Sequence, residues 1–163
     1  MNEHILVIIK PDGMLKGHAG HVLSRFEETD LALIGGRVVK VTRELAETHY
    51  EHLKERPFFD ELIRFLMGEL HNQDLVLALV FSGIDAVKKG RAIAGATNPE
   101  QAEPHSIRGS LGRVTTKGVF ENVIHVSSDA EEGEREIKLW FTPHEVAREI
   151  FSVKIVDGRK VWA

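Results

Sequence analysis

The run Ile5-Leu6-Val7-Ile8-Ile9 is apolar at every position and stops at Lys10-Pro11-Asp12-Gly13. So short and uniform a run, closed by turn residues, reads as a central strand opening into a turn. Lys10 then stands at a strand's end. Residues 75–81 are as uniformly apolar and read as another buried strand. Between the two, residues 18–29 put Val22, Leu23 and Phe26 on one helical face, and residues 31–41 read as a long strand kinked or bulged at Gly35-Gly36. Thr42 caps a helix whose apolar set is Leu45, Ala46, His49, Tyr50 and Leu53. Pro57 separates it from a helix carrying Phe58, Leu62, Phe65 and Leu66, so the two form a helical hairpin. Residues 84–94 read as a short helix, and residues 96–122 as a stretch rich in Gly, Pro, Ser and Thr. A loop that long inside a compact domain is usually functional. The element order predicts an α+β sandwich, with helices packed on a mainly antiparallel sheet. Periodicity alone does not choose the strand order.

At 163 residues the chain suits one well-buried domain, and 42% hydrophobic with 28% charged residues is an ordinary balance for a soluble protein. No apolar run approaches membrane-spanning length, and Met1-Asn2-Glu3-His4 lacks the basic-then-apolar pattern of a signal peptide, so no membrane partner and a cytoplasmic location are expected. The absence of cysteine excludes disulfides, thiolate metal sites and cysteine nucleophiles. A net charge of -4 argues against nucleic acid as the main partner.

Chemistry is best sought in the stretch from Asn122 to Asp129. Val123, Ile124 and Val126 read as a short strand that delivers His125 near its end, and Ser128 with Glu131 reads as a capping box opening a helix. His125 would then stand beside a helix N-terminus, where backbone N–H groups attract anions, phosphate above all. From this segment alone, a core histidine satisfied by a carbonyl is an equal reading. The chain has no G-x-x-x-x-G-K-S/T loop, so any nucleotide phosphates must be held by side chains. Lys10, Arg91 and Arg108, each beside a glycine or proline turn, are the candidates, although an isolated Arg or Lys is usually just a solvated charge. His18 with His21, or His49 with His52, share helix faces but have no third ligand at suitable spacing, so no protein-held metal is expected.

Taken in order, Lys10-Pro11-Asp12, His49-Tyr50, Arg56-Pro57-Phe58-Phe59, Gly90-Arg91, Gly95-Ala96-Thr97-Asn98-Pro99, Ile107-Arg108-Gly109, Asn122, His125 and Glu134-Arg135-Glu136-Ile137 resemble the nucleoside diphosphate kinase family over residues 4–142. The resemblance implies a ferredoxin-like βαββαβ fold. It also implies transfer of the γ-phosphate of a nucleoside triphosphate to a nucleoside diphosphate by a ping-pong route through phosphorylated His125. Attack requires a neutral imidazole. Glu136 matches the carboxylate that orients the histidine, Ser127 its hydrogen-bond partner, and Tyr50 the phenol near the phosphorylated nitrogen. Phe58 matches the ring on which the base stacks, flanked by Leu62 and Val119, which implies little base selectivity. Asn122 and Lys10 match contacts to the ribose 3′-hydroxyl, and Lys10, Arg91, Arg108 and Thr97 match phosphate contacts. Mg²⁺ is implied as a cofactor bound mainly through the nucleotide phosphates, and a homo-oligomer, tetramer or hexamer, as the assembly.

Several positions depart from the family pattern. An acidic residue usually follows the serine matching Ser127; here it is Ser128, then Asp129, which bears on support for Mg²⁺. The usual glycine and arginine before the asparagine are Phe120 and Glu121, the 108–122 loop is longer, and another insertion falls at residues 68–74, a surface turn or a subunit contact. A nucleotide-binding regulatory paralogue with weak turnover is therefore the alternative to an enzyme. The family-like domain is expected over residues 1–142 and an extension over 143–163. In the extension a helix over 145–151 leads to a hairpin at Asp157-Gly158, either frayed or buried through Ile155, Val161 and Trp162 against a neighbouring subunit or a sheet edge.

Overall fold

The first apolar run becomes an interior strand. In the computed structural model, which describes residues 2–163, β1 (Asn2–Ile9) leads to α1 (Pro11–Leu15), α2 (Ala19–Glu27), β2 (Ala32–Lys40), α3 (Arg43–His49), α4 (Phe59–Leu66), β3 (Leu75–Ile84) and α5 (Ala86–Ala94). The chain continues through α6 (Ile107–Leu111), β4 (Arg113–Val114), β5 (Phe120–Glu121), β6 (Ile124–Val126), α7 (Ala130–Trp140), β7 (Val153–Val156) and β8 (Arg159–Trp162). The main sheet has the order β2-β3-β1-β6, and every pairing in it is antiparallel. Taken as β1, α2, β2, β3, α5 and β6, this is the ferredoxin-like βαββαβ core.

Successive strand side chains point to opposite faces. Ile5, Val7 and Ile9 accordingly join Val22, Phe26 and Ala94 of α2 and α5, while Leu6 and Ile8 join Ala46, Ile63, Ile137 and Trp140 of α3, α4 and α7. Both faces are covered, so the run has no wet side and shows no alternation. A Cβ on Gly90 would come within 2.5 Å of Ile5 Cδ1, so α5 lies close on β1, and Arg91 follows directly from that contact. Thr42 caps α3 as expected, accepting from the Leu45 N–H at 3.2 Å, and the β2 irregularity falls between Leu33 and Gly35.

Two expectations about helices fail. The cap of α7 is Asp129, not Ser128: Asp129 Oδ1 accepts from the Glu132 N–H at 2.8 Å, and Ser128 donates its hydroxyl to Asp129 Oδ2 at 2.9 Å. A carboxylate is the stronger acceptor at the positive end of a helix, so it displaces the hydroxyl. No helix forms over 145–151. A 3₁₀ turn at Pro143–Glu145, closed by a Thr142–Glu145 capping box, gives way to extended chain in which Val146 bridges Gly35 and the Ala147 N–H donates to the Ile34 carbonyl at 2.7 Å. β2 is an edge strand with unpaired backbone groups, which extended chain can satisfy and a helix cannot.

The terminal hairpin forms as expected, with Asp157 and Gly158 both at positive φ (50° and 76°), the conformation of a two-residue type I′ turn. Its base docks: Trp162 donates its indole N–H to the Phe141 carbonyl at 2.6 Å and meets the Phe151 ring edge-on at 5.7 Å. Ile155 does not bury. It lies next to the turn, beyond the packed base, and stays 64% exposed. Among the described residues no helix is long and apolar enough to cross a membrane.

Candidate active site

Val123 joins the two halves of the site. It is β-branched yet sits at φ +69°, a left-handed conformation that costs such a residue about 1–3 kcal/mol. The turn after β1 holds it there: the Val123 N–H donates to Asp12 Oδ2 at 2.8 Å, and its carbonyl accepts from the Lys10 N–H at 2.9 Å. With both backbone groups satisfied by one turn, Asn122 lies on one side of the kink and β6, carrying His125, on the other. Asp12 is fully buried, and its other oxygen has no partner.

His125 presents a fixed tautomer. Its Nε2 lies 2.8 Å from Glu136 Oε1, and Glu136, 2% exposed on α7, accepts from the Ser127 hydroxyl at 2.5 Å through Oε2. Ser127 in turn accepts from the Leu6 N–H at 2.9 Å, which anchors the relay to the interior strand. A carboxylate can only accept, so His125 Nε2 carries the proton and Nδ1 keeps its lone pair. Behind it, the fully buried His49 ring packs edge-on at 4.5 Å and accepts through Nδ1 from the Trp140 indole N–H at 3.1 Å. Burial, reinforced by His125, holds His49 well below the usual histidine range, so it is neutral. Burial also raises the Tyr50 phenol, which stays protonated 6.3 Å from His125, ring to ring.

A cavity of about 610 Å³ opens in front of this relay. Lys10, Tyr50, Phe58, Leu62, Arg91, Thr97, Arg108, Val119, Asn122, His125 and Glu136 all line it, and Ser127 stands one hydrogen bond behind. The Lys10 ammonium donates to Asn122 Oδ1 and lies 4.5 Å over the Phe65 ring; burial pulls its pKa down to about 8. Asn122 Nδ2 donates to the Thr97 carbonyl at 2.8 Å, so Thr97 is tied in through its backbone. Arg108 spends part of its fork on the Gly95 and Ile124 carbonyls, both at 2.9 Å; burial lowers its pKa to about 10, leaving it charged at neutral pH. Arg91 is exposed at the cavity wall, and Phe58 keeps 50% of its surface open.

Lys10, Arg91 and Arg108 bring positive charge to the cavity, and Glu61, Glu132 and Glu136 line it as well. Ser128 lines the same cavity, with its hydroxyl committed to Asp129. His49, His125 and Glu136 bring ligand atoms within 4.8 Å of one another, but their own hydrogen bonds with Trp140 and Ser127 already hold them.

Sequence reasoning missed the Asp12–Val123 clamp, the His49–Trp140 bond and the surroundings of Glu121. The buried Glu121 carboxylate meets Lys16, Arg113 and His71, so the 68–74 insertion turns inward to meet the lengthened loop. Only the charge reversal at Glu121 was a visible signal, since an unexpected charge beside a site residue implies a partner.

The family described as Nucleoside diphosphate kinase matches residues 3–146. A nucleoside diphosphate kinase of Staphylococcus aureus is 43% identical over 144 residues, covering 88% of this chain and 91% of the relative. Among solved structures, a nucleoside diphosphate kinase of Borrelia burgdorferi with bound vanadate and ADP, a transition-state mimic, is 30% identical with a TM-score of 0.81, covering 91% of this chain and 92% of that one. A halophilic nucleoside diphosphate kinase of Halobacterium salinarum in complex with CDP is 34% identical with a TM-score of 0.82, covering 91% and 93%.

Proposed function

The chain belongs to the nucleoside diphosphate kinase family and transfers the γ-phosphate of a nucleoside triphosphate to a nucleoside diphosphate; we propose that it does so through Nδ1 of His125. The observation that carries this is the Glu136–His125 bond, which keeps the proton on Nε2 and leaves Nδ1 as the free lone pair at the wall of a cavity that Lys10, Arg91 and Arg108 also line.

In the first half-reaction the Nδ1 lone pair attacks the γ-phosphorus. The bond to the β,γ-bridging oxygen breaks, and its electron pair leaves on the diphosphate. No proton moves: Nε2–H stays on the ring, donated to Glu136, whose negative charge offsets the positive charge the ring gains on phosphorylation. The second half-reaction is the reverse, with a β-phosphate oxygen of the acceptor attacking the phosphohistidine. Arg91 and Arg108 hold phosphate oxygens beside Thr97. Lys10 and Asn122, already in contact with each other, meet the ribose 3′-hydroxyl. The base stacks on Phe58 between Leu62 and Val119, and Tyr50 stays a neutral donor near the reacting nitrogen. Mg²⁺, carried by the phosphates, supplies charge neutralisation when bound. The family-like domain over residues 1–142, a homo-oligomeric assembly and a cytoplasmic location complete the reading. A regulatory paralogue has no need of an oriented nucleophile with a three-residue relay behind it, so that alternative is set aside.

Initial rates with ATP as donor and GDP as acceptor test the route. Parallel double-reciprocal lines are expected as the second nucleotide is varied; intersecting lines would mean direct transfer in a ternary complex and would remove His125 from the pathway.

A further inference from the structure

The short β5 strand alternates across the cavity wall. Phe120 lines the cavity, Glu121 is buried, and Asn122, the next residue, faces the cavity again. Phe120 leaves 38% of its surface exposed, and the same cavity holds Phe58, half open as well. β4 and β5 pair over only two positions, Arg113 with Glu121 and Val114 with Phe120. A hairpin that short has little rigidity of its own, so the direction of Phe120 depends on what grips the strand from behind.

Glu121 is that grip. Its carboxylate accepts from Lys16 Nζ at 2.7 Å, from Arg113 Nε at 2.5 Å and Nη2 at 3.2 Å, and lies 3.1 Å from His71 Nε2. Lys16 ends α1, His71 belongs to the 68–74 turn, and Arg113 is the cross-strand partner, so three segments converge on one side chain. Arg113 first, then Lys16 and His71, hold the carboxyl down to about 2 against the opposing effect of burial, so it is charged at any working pH. The grip also reaches the site floor: the His71 ring packs edge-on to Phe65 at 4.8 Å, and the Phe65 face carries the Lys10 ammonium.

We propose that Phe120 is a second base-stacking ring of the nucleotide site and that Glu121 is the positioning residue holding it toward the cavity, an inference that rests on the cavity binding nucleotide. Stacking still reads no base edges, so the added preference is modest and follows stacking area, the larger purine over the pyrimidine. It also adds contact area to a wall otherwise furnished by Val119.

The test is titration of Mg²⁺-ADP and Mg²⁺-CDP into the unphosphorylated full-length protein, together with KM and kcat for both as acceptors. Phe120→Ala should weaken ADP about tenfold and CDP less, the value of one lost base–aromatic contact, with the change in KM exceeding that in kcat. Glu121→Gln should weaken both nucleotides several-fold in the same KM-dominated way, because the hairpin loses its direction while the His125 relay is untouched. If Glu121→Gln does not fold, Arg113→Gln, at a side chain 63% exposed, takes its place. ADP affinity within about twofold of wild type in Phe120→Ala overturns the second ring; unchanged affinity in the Glu121 or Arg113 variant, or a loss confined to kcat, overturns the positioning role. Failure of the wild-type protein to bind either nucleotide would instead bring down the functional reading itself.

Discussion

Replacing Glu136 with glutamine separates the two services its carboxylate performs. The amide side chain keeps the size, an oxygen to accept from His125 Nε2 and an NH₂ group to meet Ser127, so the tautomer and ring orientation survive. What disappears is the negative charge 2.8 Å from the ring that becomes cationic when Nδ1 bonds phosphorus. A hydrogen bond to a charged group contributes about 1.5–3 kcal/mol against about 0.5–1.5 for a neutral one, so the transition state loses about 1–2 kcal/mol. That predicts phosphoenzyme formation about 5- to 30-fold slower, measured by rapid mixing with ATP and acid quench. Glu136→Ala also strips the acceptor from both His125 Nε2 and the Ser127 hydroxyl and frees the ring to turn, so it should lose about 100-fold or more. Stability should move the other way for glutamine. The carboxylate is 2% exposed and its oxygens meet neutral donors, so a neutral amide should leave the melting temperature unchanged or raised. Wild-type phosphorylation rates in Glu136→Gln would refute the charge argument, and wild-type rates in Glu136→Ala would refute the relay altogether.

Other outcomes follow from the same geometry. Lys10, with its pKa lowered by burial from 10.5 to about 8, loses its charge as pH rises through 8, so nucleotide KM should climb above that pH, and Lys10→Met should flatten the profile. The sign for folding is opposite: between about pH 8 and 10.5 the folded state binds fewer protons than the unfolded one, so the contribution of Lys10 to stability grows with pH, readable in the difference between wild-type and Lys10→Met melting temperatures. Acceptors lacking the 3′-hydroxyl should fall about tenfold or more in kcat/KM, because the Lys10–Asn122 pair loses its polar partner; equal rates would remove that contact. Trp162→Ala should cost about 2 kcal/mol, lowering the melting temperature by roughly 4–8 °C while phosphotransfer persists. An unchanged melting temperature would mean the terminal hairpin contributes nothing to the fold.

What was legible in the sequence tracks how local its cause is. The interior strand showed itself in the uniform run Ile5 to Ile9, and the type I′ turn in Asp157-Gly158, because each depends on neighbours in sequence. The helix expected over 145–151 failed because the open β2 edge at Ile34 and Gly35 offers hydrogen-bond partners that no window on the tail can see. Ser128 looked like a cap until Asp129, one residue on, proved the better acceptor. In the cavity, motif order named the residues facing it and Ser127 behind Glu136, but not what Asp12 does through the backbone of Val123 or Glu121 through partners from three segments. Both are contacts between residues far apart in the chain, which neither periodicity nor spacing records.

The intact mass of the protein after incubation with Mg²⁺-ATP tests the central claim most directly. The wild-type chain should gain one phosphoryl group that is stable to base, labile to acid and discharged by adding GDP, and His125→Ala should gain none. An unmodified mass from protein that is transferring phosphate, or an undiminished phosphoryl group on the alanine variant, would contradict it.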